Sequence, residues 1–176
     1  VGKSYILLQL IEYIKQTIQN SNIVYINLEF EEFRQLRFDE DLFDYLKDKF
    51  SADKTNFLFI DEIQDISGFE NVLRSLFAKN TCDIFITGSN AKMLSSELST
   101  YLAGRYIEFH IQSLSYDEFL IFHKLENSQQ SLMLYLTYGG LPYLSNLSLT
   151  DEFAIEYLKN VYSTIILKDV VQRENI

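Results

Sequence analysis

A chain of 176 residues with 47% apolar and 23% charged side chains has the composition of a globular domain, which excludes a disordered or fibrous protein. A formal charge of −10 argues against a broad nucleic-acid-binding face, because phosphate contacts need clustered lysine and arginine. No apolar run approaches the ~18 to 20 residues that span a bilayer, and the single cysteine, Cys82, excludes an internal disulfide framework and fits a reducing cytoplasm.

Residues 4–19 place Ile6, Leu7, Leu10, Ile11, Ile14 and Ile18 at helical spacing. IVYINL at 23–28 is a short apolar and β-branched run, the pattern of a strand covered on both faces. The acidic segment 29–50 sets Leu42, Phe43, Leu46 and Phe50 at helical spacing, with its charges on a solvated face. FLFI at 57–60 predicts a second buried strand that ends abruptly in Asp61-Glu62, residues 69–79 predict a helix, and DIFIT at 83–87 a third strand. A short helix is expected after Ala91. YIEFHI at 106–111 alternates and predicts a fourth strand, at a sheet edge.

Strands and helices alternating in this order form right-handed βαβ crossovers, hence a parallel sheet with helices on both faces. After Ser113 the strand signal stops, and 115–124, 128–137 and 151–168 all read as helices. The expected organisation is an α/β core over residues 1–113 followed by a small helical subdomain over 114–176. Cys82 lies in an apolar run and reads as a core residue, and His110 and His123 show no metal-ligand spacing.

The P-loop pattern is G-x-x-x-x-G-K-[ST], and Gly2-Lys3-Ser4 matches its last three residues directly ahead of the long amphipathic helix that the motif requires. A helix N-terminus there turns free backbone N–H groups and the positive end of its dipole toward a phosphate. In that reading Lys3 reaches the β- and γ-phosphates and the Ser4 hydroxyl holds Mg2+. The alternative is a lysine and a serine opening an ordinary surface helix.

FLFIDEIQ at 57–64 is an apolar strand ending in two carboxylates, as a Walker B motif and its following glutamate are. Asp61 is placed to coordinate Mg2+, directly or through water, and Glu62 to orient and deprotonate an attacking water. A surface Asp-Glu turn after a core strand is the alternative here, and such ordinary readings are common for either motif taken singly. The two in this order, with room for one βα unit between them, point to nucleotide binding. At the tip of the next strand, ITGSN at 86–90 sets Ser89 and Asn90 where one of them contacts the γ-phosphate or the attacking water, or caps the next helix.

VGKSYILLQL, FLFIDEIQDISGFENVLRSL, the stretch from ITGSN through Gly104-Arg105 to EFL, YLTYGGLPYL and TIILKDVVQREN together resemble the AAA-superfamily ATPases of the AAA-14 group, over essentially the whole chain. The resemblance implies a P-loop NTPase fold, a parallel sheet sandwiched by helices and followed by a helical lid. It also implies that a first strand and the front of the phosphate loop precede Val1, and that a further C-terminal domain follows Ile176. Arg105 matches the family's Gly-Arg and looks like a phosphate-sensing or finger-type arginine, for which its fork is suited; a surface ion pair is the other reading. Pro142, in Gly139-Gly140-Leu141-Pro142, resembles a segment that lies against adenine in related ATPases, and equally a turn that breaks a helix.

The expected function is therefore Mg2+-dependent hydrolysis of ATP, coupled to a conformational change on an unidentified protein partner or on the further C-terminal domain. Two alternatives stand beside it: a nucleotide-gated switch that does not hydrolyse, and an accessory ATPase of a nucleic-acid-processing system, which the acidic balance does not support. GTP is disfavoured by the lack of an N/T-K-x-D-like segment. Residues 1–176 alone are expected to bind nucleotide weakly. The location expected is cytoplasmic, with no membrane partner, and self-association into a homo-oligomer is allowed.

Overall fold

The computed structural model describes residues 2–88, 105–149 and 152–166. Lys3–Phe109 forms one compact unit and a second begins at His110.

In the first unit, helix α1 (Lys3–Thr17) is followed by strand β1 (Ser21–Asn27), helix α2 (Asp39–Leu46), strand β2 (Thr55–Asp61), helix α3 (Phe69–Lys79) and strand β3 (Asp83–Ile86). The strands make a parallel sheet in the order β1-β2-β3, with Asn27 opposite Asp61 and Ile60 opposite Ile86. Parallel strands with helices on both faces must bury both sets of alternating side chains. They do so here. Val24, Ile26, Leu58 and Ile60 pack in one core with Leu42, Leu46, Val72, Leu73 and Leu76 of α2 and α3. Phe57 and Phe59 face the other way and pack with Leu7, Ile11 and Ile14 of α1. Phe59 also stacks on Phe85, ring centroids 4.8 Å apart.

The direction of α1 follows from its length and its connection. A 15-residue helix and a 7-residue strand are both about 22 to 23 Å long. The chain turns from α1 into β1 within residues 18–20. Because α1 lies on the sheet along its buried face, it runs antiparallel to the strands. Its N-terminus therefore returns to the edge at which β1, β2 and β3 end.

The acidic segment 29–50 is broken into a 3-10 turn (Glu31–Phe33) and α2. The Asp41 carboxylate stops the helix from extending backward by accepting from the Phe38 and Arg37 backbone N–H groups, at 3.0 and 3.2 Å. Leu42 and Leu46 are buried, whereas Phe43 is exposed and carries the Lys47 ammonium over its ring. Cys82 is half-buried against the α2–α3 core, and burial, with the Asp83 charge adding, pushes its thiol up to about 12. It is an inert packing residue.

The fourth strand expected at 106–111 does not form. Residues 105–115 carry neither helix nor strand, and Ile107 and Phe109 are 80% and 79% exposed. Alternation specifies two faces but supplies no partner, and a strand exists only where another backbone takes its N–H and C=O groups. Among the described residues the sheet holds β1, β2 and β3 alone, and 106–111 does not join it. The helix expected after Ala91 lies outside the described residues.

The second unit contains α4 (Tyr116–His123), α5 (Gln129–Tyr138), a 3-10 helix (Pro142–Asn146) and α6 (Glu152–Ile166), around Leu114, Phe119, Leu144, Leu149 and Ala154. Ser115 caps α4 in a reciprocal box. Its hydroxyl accepts from the Glu118 N–H at 3.4 Å while the Glu118 carboxylate accepts from the Ser115 N–H at 2.8 Å, which holds that carboxyl below its ordinary range. Among the described residues no helix is long and apolar enough to cross a membrane.

Helix α4 ends at Lys124, which is left-handed with φ 54°. Lys124→Gly is expected to stabilise this unit by about 0.8 kcal/mol, the ~1 to 2 kcal/mol of relieved left-handed strain less ~0.4 to 1 kcal/mol of added unfolded-state entropy. Urea unfolding measures it, and a lower midpoint would show that the lysine side chain stabilises the cap.

Candidate functional site

The C-terminal edge of the sheet gathers polar side chains that the strands themselves push into the interior. Asp61, the last residue of β2, is completely buried. It shares the face of Phe57 and Phe59, the side covered by α1. A buried carboxylate must be paired or hydrogen-bonded, since an isolated charge there is strongly disfavoured. One oxygen, Oδ1, accepts from the Thr87 hydroxyl. The other, Oδ2, is buried and has no hydrogen-bond partner among the described residues.

Thr87 lies one residue past β3, continuing the register that sets Ile86 beside Ile60. It ties three parts of the edge together. Its N–H donates to the Ile60 carbonyl at 2.9 Å and its carbonyl accepts from the Ile63 N–H at 3.0 Å. Its Oγ1 accepts from the Glu62 N–H at 3.1 Å while donating to Asp61. Motif spacing alone does not single out Thr87, because the motif is read along one strand and Thr87 belongs to the next. The available signal was register: a hydroxyl residue ending the strand that must pair beside FLFID.

Glu62 steps out of the strand. Its backbone is left-handed, φ 60° and ψ 45°, a conformation that costs a non-glycine residue about 1 to 3 kcal/mol and recurs at functional sites. This bend opens a 3-10 turn, Ile63–Asp65, in which Ile63 is fully buried and anchors the loop. The Glu62 carboxylate is half-buried and accepts from Gln64 Nε2 at 2.5 Å.

On the neighbouring strand, Asn27 is buried opposite Asp61. Its Oδ1 accepts from the Glu29 N–H at 2.9 Å and its Nδ2 donates to the Tyr25 hydroxyl at 3.3 Å. Burial raises the Tyr25 phenol above its ordinary pKa, the Asn27 hydrogen bond opposes this, and the negative charges of Asp61 and Glu29 add to it. The edge is therefore electronegative at its centre.

Lys3 and Ser4 form the first turn of α1 and are half-buried. The helix direction sets that turn, with its unpaired backbone N–H groups, on the same edge of the sheet as Asp61 and Glu62. Gly2, just before it, is exposed and left-handed with φ 79°. Ser89 and Asn90 lie outside the described residues. Arg105 is exposed, and no ion pair with an acid is seen for it among the described residues. Pro142, in the second unit, opens the 3-10 helix Pro142–Asn146. The structure thus brings Asp61 and Glu62 together with Thr87 and Gln64.

No cluster of three or more His, Cys, Asp or Glu side chains is seen among the described residues. The one orphaned buried oxygen of Asp61 instead fits a hard cation that takes a single protein carboxylate and fills its other positions with phosphate and water, as Mg2+ does.

A parallel sheet whose strand ends present a buried aspartate and a following glutamate, with a helix N-terminus brought to the same edge, defines a P-loop NTPase-like α/β protein. The chain belongs to the AAA domain family (the AAA-14 group), whose profile matches residues 1–120. It is thus a nucleotide-binding protein of the AAA type. It is similar to an uncharacterized protein of Haemophilus influenzae, 35% identical over 184 residues that cover 99% of this chain and 45% of that protein. It is also similar to the uncharacterized protein MJ1544 of Methanocaldococcus jannaschii, 34% identical over 189 residues that cover 99% of this chain and 41% of that protein. The chain spans less than half the length of both relatives.

Proposed function

We propose that this protein hydrolyses ATP with Mg2+ and uses the cycle to drive a conformational change on a protein partner or on a further domain. The observation that carries this reading is the buried, half-satisfied Asp61 carboxylate beside a strained Glu62 at a sheet edge shared with the α1 N-terminus. Lys3 and the N–H groups of the first turn of α1 bind the β- and γ-phosphates. Asp61 and the Ser4 hydroxyl hold Mg2+, which when bound offsets phosphate charge.

Glu62 accepts a proton from water as that water's oxygen bonds to the γ-phosphorus and the bond to the β–γ bridging oxygen breaks, leaving ADP and phosphate. In the same reading one of Ser89 and Asn90 contacts the γ-phosphate or the water, Arg105 senses phosphate, and Pro142 lies against adenine. Residues 114–176 serve as the helical subdomain that follows the 1–113 core.

A carboxylate at position 62 favours hydrolysis over a purely nucleotide-gated switch, because binding alone has no use for a proton acceptor there. Titration calorimetry on the full natural chain tests the binding half of the proposal. Lys3→Ala is expected to weaken ATP binding roughly 10- to 100-fold, the loss of charge-assisted hydrogen bonds worth about 1.5 to 3 kcal/mol. Asp61→Asn is expected to remove the stimulation of binding by Mg2+. Unchanged affinity in Lys3→Ala together with unchanged Mg2+ stimulation in Asp61→Asn would overturn the assigned site.

A further inference from the structure

We infer that Gln64 is a positioning residue for hydrolysis: its side-chain amide fixes the Glu62 carboxylate in the orientation from which it takes a proton. The inference rests on the reading of Glu62 as the base. Its own support is geometric. The left-handed Glu62 breaks the alternation of the strand, and the hydrogen bond seen for its carboxylate among the described residues comes from Gln64. Two residues on, Gln64 returns an amide to within 2.5 Å of Glu62 Oε2.

The turn between them is held by three hydrogen bonds that make no use of either side chain. Ile63 N–H donates to Thr87 at 3.0 Å, Asp65 N–H to Glu62 at 3.1 Å and Ile66 N–H to Ile63 at 3.0 Å. With Ile63 and Ile66 both buried, the backbone is fixed without Gln64. The Gln64 side chain is therefore not needed to make the turn, and its contact with Glu62 has a separate use.

The chemistry of the contact is directional. An ionised carboxylate only accepts, so the group this close to Glu62 Oε2 is the amide nitrogen. The amide oxygen, Gln64 Oε1, then faces inward, buried and without a hydrogen-bond partner among the described residues. A buried amide left half-satisfied is unfavourable by itself, so the orientation is held by the charge-assisted bond to Glu62. That bond fixes the torsions of a long, flexible glutamate side chain, and general-base catalysis is sensitive to misplacement on the scale of 1 Å.

A double-mutant cycle on the full natural chain tests the assignment. Gln64→Leu is expected to lower kcat about 10- to 30-fold with the KM for ATP within about twofold, and with an unchanged thermal midpoint. Gln64→Met, of similar length and without a donor at this contact, is expected to match it and stands in if the leucine variant does not fold. In a Glu62→Gln background the same substitutions are expected to change single-turnover hydrolysis by less than about twofold, because the group they position is gone.

An equal loss in both backgrounds, an unchanged or raised kcat, or a loss expressed in KM alone would overturn the role of Gln64. Wild-type hydrolysis in Glu62→Gln by itself would instead overturn the assignment of the base. The two failures are distinguished by that one single mutant.

Discussion

Glu62→Gln is expected to bind ATP within about twofold of the wild-type affinity and to hydrolyse it ~10^2- to 10^4-fold more slowly, the range lost with a positioned general base. The substitution is close to isosteric, and the backbone it must preserve is held by bonds it does not touch. The residue-62 N–H still donates to Thr87 Oγ1 at 3.1 Å, and the residue-62 carbonyl still accepts from Asp65 at 3.1 Å. Asp61 and Thr87 keep their own hydrogen bond. What disappears is the capacity to receive a proton. Single-turnover hydrolysis and calorimetric binding on the same preparation separate the two effects. A wild-type rate would move the base elsewhere on the sheet edge. A natural chain that binds ATP yet never turns it over would make the protein a nucleotide-gated switch.

The legible part of this fold is the part whose burial pattern is local. FLFI stands out because β2 is covered on both faces, with Leu58, Phe59 and Ile60 all at 0% exposure, so that every position in the run is apolar. The stripe of α1 and the helix at 69–79 are visible for the same reason. YIEFHI at 106–111 has an equally good pattern and is not a strand, because pairing depends on a backbone neighbour that no property of those six side chains reveals.

The site divides along the same line. Asp61 and Glu62 were visible because a carboxylate pair ending an apolar strand is a one-dimensional signal. Thr87 was not, since it acts across β3 to β2 and only register brings its hydroxyl to Asp61. Gln64 stood in plain view within DEIQ, yet its approach to Glu62 depends on the left-handed bend at Glu62, and strand periodicity says nothing about how the chain leaves a strand. Arg105 and Pro142 are marked by the family resemblance alone, because a Gly-Arg pair and a Gly-Gly-Leu-Pro turn carry no one-dimensional signal of a site.

Gly140→Ala is expected to destabilise the second unit by about 3 kcal/mol or more, enough to unfold a marginal subdomain. A β-carbon added at Gly140 would stand 2.2 Å from the Leu114 carbonyl oxygen and 3.0 Å from its carbonyl carbon and nitrogen. These are backbone atoms, so no rotamer change relieves the overlap. Separation of the two segments is resisted by the hydrogen bond from Leu114 N–H to the Gly140 carbonyl, at 2.7 Å, and by the Tyr135 hydroxyl donating to the Leu114 carbonyl at 3.0 Å. Moving Leu114 also disturbs the core it shares with Phe119 and Leu144. Gly139 supplies the control. Its φ is 73°, and a β-carbon there would meet nothing within 4 Å, so Gly139→Ala is limited to backbone strain of roughly 1 to 3 kcal/mol. Chemical denaturation of both variants compares them directly. If Gly140→Ala proved no less stable than Gly139→Ala, the glycine pair would be serving conformation alone, and the tight backbone crossing at Leu114 would not be what requires the second glycine of Gly-Gly-Leu-Pro.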